Sequence, residues 1–112
     1  MTGVQTCALP ISYWRKILGT DDLDAPQVKA ISPVFQAERI KVPVLLYAGR
    51  DDVRVPFDQI SRMASALRAA GNPPKAFIAK AGEGHGFGKF ENNVELYKQV
   101  LNFLDKQLSA GR

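Results

Sequence analysis

The sequence holds a single cysteine, Cys7, and a single histidine, His85. One cysteine excludes an internal disulfide framework. One histidine without a cysteine cluster leaves no ligand set for a metal such as zinc. Long apolar runs are missing too: none approaches the roughly 20 residues of a membrane-spanning helix. Blocks of like charge are also absent. Lys and Arg number 15 against 11 Asp and Glu, a net charge of +4. The only adjacent basic pair is Arg15-Lys16. With no basic stripe interleaved with aromatics, the charge reads as a solvated surface and not as a nucleic-acid footprint. No internal repeat is present, no cofactor is implied, and compartment and oligomeric state stay open.

What is present fits one domain at most: 112 residues, 46% hydrophobic and 23% charged. Residues 1–12 stand apart. The run Thr2-Gly3-Val4-Gln5-Thr6-Cys7-Ala8-Leu9-Pro10-Ile11 resembles the conceptual translation of a sequencing-library adapter. It has neither the charged n-region nor the long h-region of a signal peptide. The expectation is that residues 1–12 lie outside the packed domain and that Cys7 carries no function. The domain then covers residues 13–108, with 109–112 as a tail, and the chain is a piece of a longer gene product.

Residues 13–41 alternate helix and turn signals. Tyr13, Trp14, Ile17 and Leu18 fall at helical spacing before Gly19. Asp24 is the expected N-cap of a short helix running from Pro26 to Ile31, which Ser32-Pro33 breaks. One further turn is expected over Ala37–Lys41.

The stretch from Val42 to Pro56 organises the rest. Its apolar half, led by Pro43 and stopped by Gly49, reads as a strand over Val44–Ala48 buried on both faces. Its polar half is Arg50-Asp51-Asp52-Val53-Arg54. Pro56 opens a helix whose buried face is Phe57, Ile60, Met63, Ala64 and Leu67. Gly71-Asn72-Pro73-Pro74 ends it. Lys75–Lys80 is a second strand, and Gly82-Glu83-Gly84-His85-Gly86-Phe87-Gly88 is a glycine-rich loop. A last helix runs from Glu91 to about Leu108, with Val94, Tyr97, Val100, Leu101, Leu104 and Leu108 inward.

Strand, helix, strand, helix makes a βαβ unit with a closing helix. A right-handed crossover puts both strand ends on one edge of the sheet. The Asp51-Asp52 loop and the His85 loop then meet where ligands gather in parallel sheets. In isolation two adjacent acids can simply shape a turn, and a histidine among glycines can simply sit on the surface. Side by side, an acid and an imidazole can work as a pair, the acid fixing the tautomer and offsetting the charge. If the local backbone is extended, Asp51 and Asp52 point to opposite sides and only one reaches the ring.

The run from Pro43 to Pro56, followed by Gly82-Glu83-Gly84-His85-Gly86-Phe87, resembles the carboxyl-terminal end of the catalytic domain of prolyl oligopeptidase family serine peptidases. That family includes acylaminoacyl peptidases and dipeptidyl peptidases. The resemblance spans residues 13–108 and implies an incomplete α/β-hydrolase fold, parallel strands with flanking helices. It implies that Asp52 and His85 are the acid and base of a Ser, Asp, His triad. It also implies that Arg54 of the Asp-x-Arg-x-Pro loop binds a substrate carbonyl, that the complete enzyme takes peptides, and that it needs no cofactor. The departure is the nucleophile: none of Ser12, Ser32, Ser61, Ser65 and Ser109 lies in a Gly-x-Ser-x-Gly elbow. The chain alone is therefore expected to be inactive. Two alternatives are an esterase or dienelactone-hydrolase-like fragment, which would use the same triad, and a nucleotide-binding βαβ module. The last is disfavoured: Phe87 stands where the dinucleotide fingerprint needs its third glycine, and no P-loop Lys-Ser/Thr follows.

Overall fold

The computed structural model describes residues 11–22 and 24–109. The segment 1–10, with Cys7 and Leu9, lies outside them. So do the side chains of Ile11, Ser12 and Trp14. The chain forms α1 (Ile11–Leu18), α2 (Pro26–Ile31) and a 3-10 helix (Pro33–Arg39). There follow β1 (Leu45–Gly49), α3 (Phe57–Ala69), β2 (Ala76–Lys80) and α4 (Phe90–Ser109).

Local chemistry explains most boundaries. Gly19, at φ +71°, closes α1. Asp24 does not cap α2. The N-cap is Ala25, and Pro26 in the first turn removes one of the N–H groups a cap would serve. Asp24 instead offers its N–H to Asp22 Oδ1 at 3.0 Å. Buried Ser32 ends α2, its hydroxyl donating to the Val28 carbonyl at 2.8 Å. The turn expected over 37–41 is the longer 3-10 helix that starts at Pro33, whose fixed φ favours its first turn. Helix α3 ends in a Schellman arrangement: Gly71 at φ +80° donates to the Arg68 carbonyl at 3.0 Å and Asn72 to that of Leu67 at 2.9 Å. The Asn72 side chain then donates to the carbonyls of Ile40 and Val42 at 3.0 and 2.9 Å. One residue thus pins the end of α3 to the approach to β1.

The strands pair in parallel, Leu45 with Ala76 through Gly49 with Lys80. Phe57 of α3 stacks on Phe77, centroids 6.2 Å apart, so α3 covers the face that carries Phe77. Lys80 points to the opposite face, where it pairs with Glu95 of α4. The helices therefore lie on opposite faces of the two strands, as a doubly wound sheet requires.

Burial is less complete than the apolar strand pattern implies. Tyr47 and Phe77 are 49% and 37% exposed. A sheet of two strands is too narrow for one helix per face to cover both. Among the described residues the buried apolar side chains are Ala25, Val28, Ala37, Ala64, Leu67, Ile78 and Leu96. Ala64 and Leu67 belong to the expected face of α3. Helix α4 departs from expectation. Leu96 is buried, while Tyr97, Leu101, Leu104 and Leu108 are exposed. The helix carries two neighbouring apolar stripes, and a two-stranded sheet receives only one.

Candidate active site

Both loops leave the carboxyl ends of the paired strands, and backbone hydrogen bonds lace them together. Arg50 donates its N–H to the Lys80 carbonyl at 2.9 Å, and Asp51 donates to that of Glu83 at 3.0 Å. The loops approach so closely that Gly49 must be glycine. A Cβ there would lie 2.2 and 2.3 Å from the backbone oxygens of Glu83 and Gly84.

The two aspartates part ways. Asp51 Oδ2 accepts the Gly82 N–H at 2.8 Å, a tie across to the other loop and not a bond that shapes its own turn. Asp52 Oδ1 accepts the N–H groups of Arg54 and Val55 at 2.8 and 2.9 Å. Its other oxygen, Oδ2, meets His85 Nδ1 at 2.9 Å. Burial of Asp52, with its side chain 8% exposed, pushes its pKa up. The hydrogen bonds from Val55, His85 and Arg54 outweigh that, and the net shift is downward. An ionised carboxylate only accepts hydrogen bonds. The proton in the contact therefore sits on Nδ1 of His85, and Nε2 is the basic nitrogen of the neutral ring.

His85 sits at the tip of a tight turn closed by a bridge between Gly84 and Gly86, the latter at φ +103°. Its side chain is half-exposed. It shares a cavity of about 280 Å³ with Tyr47, Gly49, Asp52, Val55 and Ile60. The wall is mostly apolar and the pair is its charged corner; among the described residues no serine lines it. Arg54 serves through its main chain, holding Asp52, and lies outside the cavity lining in an exposed position. Arg50, the loop's other arginine, rests its guanidinium 4.7 Å over the Phe57 ring.

Sequence reasoning missed Glu83. It is 2% exposed, and it accepts the N–H groups of Gly88 and Lys89 at 2.6 and 3.1 Å and the Asn92 side-chain amide at 2.7 Å. Asn92 and Gly88, its strongest partners, hold its pKa below the ordinary carboxylate value. Its spacing from α4 matches no capping register, so only the three-dimensional turn reveals it. Among the described residues no group of His, Cys, Asp and Glu could hold a metal ion. No described helix is long and apolar enough to cross a membrane.

A profile of the prolyl oligopeptidase family matches residues 5–111. The chain belongs to that family. Dipeptidyl aminopeptidase BIII of Pseudoxanthomonas mexicana is 37% identical over 81 residues, which are 72% of this chain and 12% of that protein. The crystal structure of puromycin hydrolase superposes with a TM-score of 0.77 at 28% identity, covering 87% of this chain and 14% of that one. An esterase from Thermogutta terrifontis gives 0.62 at 29%, covering 85% and 33%. The fold is thus a part of the α/β-hydrolase fold of prolyl oligopeptidase family enzymes. The chain spans about an eighth of the curated relatives' length.

Proposed function

We propose that this chain supplies the base and the orienting acid of a serine peptidase whose nucleophile lies in sequence beyond these 112 residues. The observation that carries the reading is the 2.9 Å contact from His85 Nδ1 to Asp52 Oδ2 across two loops. It leaves Nε2 to take the proton of a serine hydroxyl as that oxygen attacks the peptide carbonyl. The imidazolium then protonates the leaving amine while Asp52 offsets its charge. The apolar cavity beside the pair suits an uncharged substrate side chain. Arg54, exposed next to Asp52, is the candidate donor to a substrate carbonyl.

The test is made on the complete enzyme recovered from the upstream reading frame. A serine-directed fluorophosphonate should label it, and His85→Ala should abolish both labelling and peptide turnover. Undiminished turnover by His85→Ala would overturn the reading. Arg54→Ala should raise KM more than it lowers kcat. The similarity to an esterase supports a second reading with the same triad. Comparing peptide anilides with matched esters separates the two: an esterase leaves the anilides uncut.

A further inference from the structure

The acid–base pair makes no use of the other buried carboxylate, Glu83, although it stands two residues before His85. Glu83 is fastened at both ends. Its main-chain carbonyl takes the Asp51 N–H at 3.0 Å, which ties it to the aspartate loop. Its side chain takes Gly88, Lys89 and Asn92, which tie it to the start of α4. Residues 84–87 span the gap between these anchors, and His85 is one of them. Phe87, at the far end of that span, has ties of its own: the Asn93 side-chain amide donates to its carbonyl at 2.8 Å, and the Tyr47 ring meets its ring edge-on at 5.7 Å. The two glycines that flank His85 have no such side-chain ties. Gly84 and Gly86 have no side chains to pack, and a Cβ on either would meet nothing within 4 Å. The ring's position must come from the anchors, since a functional side chain is only as well placed as the shell that holds it.

Resting on the reading of Asp52 and His85 as the acid–base pair, we propose that Glu83 is a positioning residue. By closing residues 84–87 onto Gly88, Lys89 and Asn92, its carboxylate sets the His85 ring against Asp52. The donor set demands a carboxylate. Glutamine would bring one acceptor and one NH2 group. With its oxygen at the Gly88 position, the NH2 faces the Lys89 N–H; turned over, it faces the Gly88 N–H. Asn92 can reverse its own amide to suit, but a backbone N–H cannot. Either way one donor of the turn is left facing a donor, which is costly in a buried place.

His85 is the only histidine of the chain, so its ring signals are unambiguous. Nitrogen-15 spectra of the histidine-labelled 112-residue chain, taken alkaline of the imidazole titration, report which ring nitrogen bears the proton. The unsubstituted chain should show Nδ1–H. Glu83→Gln should lower the Nδ1–H to Nε2–H ratio at least twofold, well below its unfolding temperature and with α3 amide signals unchanged. A residue that only caps α4 would lower Tm and leave this ratio alone. An unchanged ratio in folded Glu83→Gln therefore overturns the proposal. Asn92→Ala removes one partner and keeps the carboxylate, so it should move the ratio the same way by less. If Glu83→Gln does not fold, Asn92→Ala decides, and no movement there overturns the proposal. Asp52→Ala should also lose the Nδ1–H form. If it does not, the pairing itself fails and Glu83 has nothing to position. A ratio changed by Asp52→Ala but not by the Glu83 or Asn92 variants rejects the inference and leaves the pair intact.

Discussion

Asp51 and Asp52 carry the same side chain at adjacent positions and perform separable tasks. Asp52 binds the ring; Asp51 ties its loop to Gly82. In the complete enzyme, Asp52→Asn should lower kcat by about 10⁴, as expected when an imidazole is held in the wrong tautomer. Asp51→Asn should change kcat little, because an asparagine oxygen can still accept the Gly82 N–H. The opposite ranking, measured side by side, would reassign the acid. Acid also reaches these residues. The pKa values of Glu83 and Asp52 are depressed in the folded chain, so each contributes stability that is full above its ordinary value. That contribution is lost as pH falls through the folded value. Chemical denaturation at stepped pH should show stability declining from about pH 4.5 downward, the ordinary value for glutamate being 4.5 and that for aspartate 3.8. A flat profile from pH 5 to 3 would contradict the bonding described for both. At this scale strand, turn and glycine spacing placed the Asp51-Asp52 pair and His85 at strand ends, and the choice of Asp52 came from the family resemblance. The sequence was silent on Glu83, whose partners gather only when the chain turns back at Gly88. For Arg54 it suggested a role for the side chain and gave no sign that its main-chain N–H holds Asp52.

The elements themselves were legible wherever one periodicity ruled, and misread where two overlapped. Helix α3 carries a single stripe, and Ala64 and Leu67 lie buried on it as the spacing implied. Helix α4 carries a stripe through Leu96 and another through Tyr97, Leu101, Leu104 and Leu108, and hydropathy alone cannot rank them. Strand β1 was read as buried on both faces because its residues are apolar, but apolarity does not specify the width of the sheet around it. The two stripes of α4 give opposite predictions. Leu96→Ala should cost about 2–5 kcal/mol, as for other buried leucines. Leu101→Lys with Leu104→Lys should leave Tm nearly unchanged, since both residues already face solvent. The same pair should raise the concentration at which the chain self-associates. Among the described residues β1 pairs only with β2, so an open strand edge adds to the exposed stripe as a template for association. Sedimentation of the two variants beside the parent chain checks this; association unaffected by the lysines would place its origin at the strand edge. Gly49→Ala acts on the contact between elements. Its Cβ would meet backbone oxygen, which cannot swing away, so a loss of at least about 3 kcal/mol is expected.

At the scale of the whole molecule, the proposed reading gives the chain two of three chemical parts. To act as the base of a serine peptidase, His85 needs a serine hydroxyl held next to Nε2, and among the described residues no serine lines the cavity that contains the ring. Ser32 cannot serve, being buried and bonded to the Val28 carbonyl at 2.8 Å. Ser61 and Ser65 lie within α3, and neither lines the cavity. Oxyanion stabilisation needs donors aimed at the place where the tetrahedral oxygen forms, and that place is set by the nucleophile. Triad members act as a unit, and losing the nucleophile costs on the order of 10⁶ in rate in a serine peptidase. The 112-residue chain should therefore hydrolyse neither peptide anilides nor esters above buffer, at any pH where it stays folded. Running His85→Ala with the same substrates makes the comparison strict, because that chain lacks the one imidazole. Equal rates from the two chains are expected. A faster parent chain, with fluorophosphonate labelling of one of its serines, would show that a nucleophile is present after all and that the catalytic site is complete within these residues.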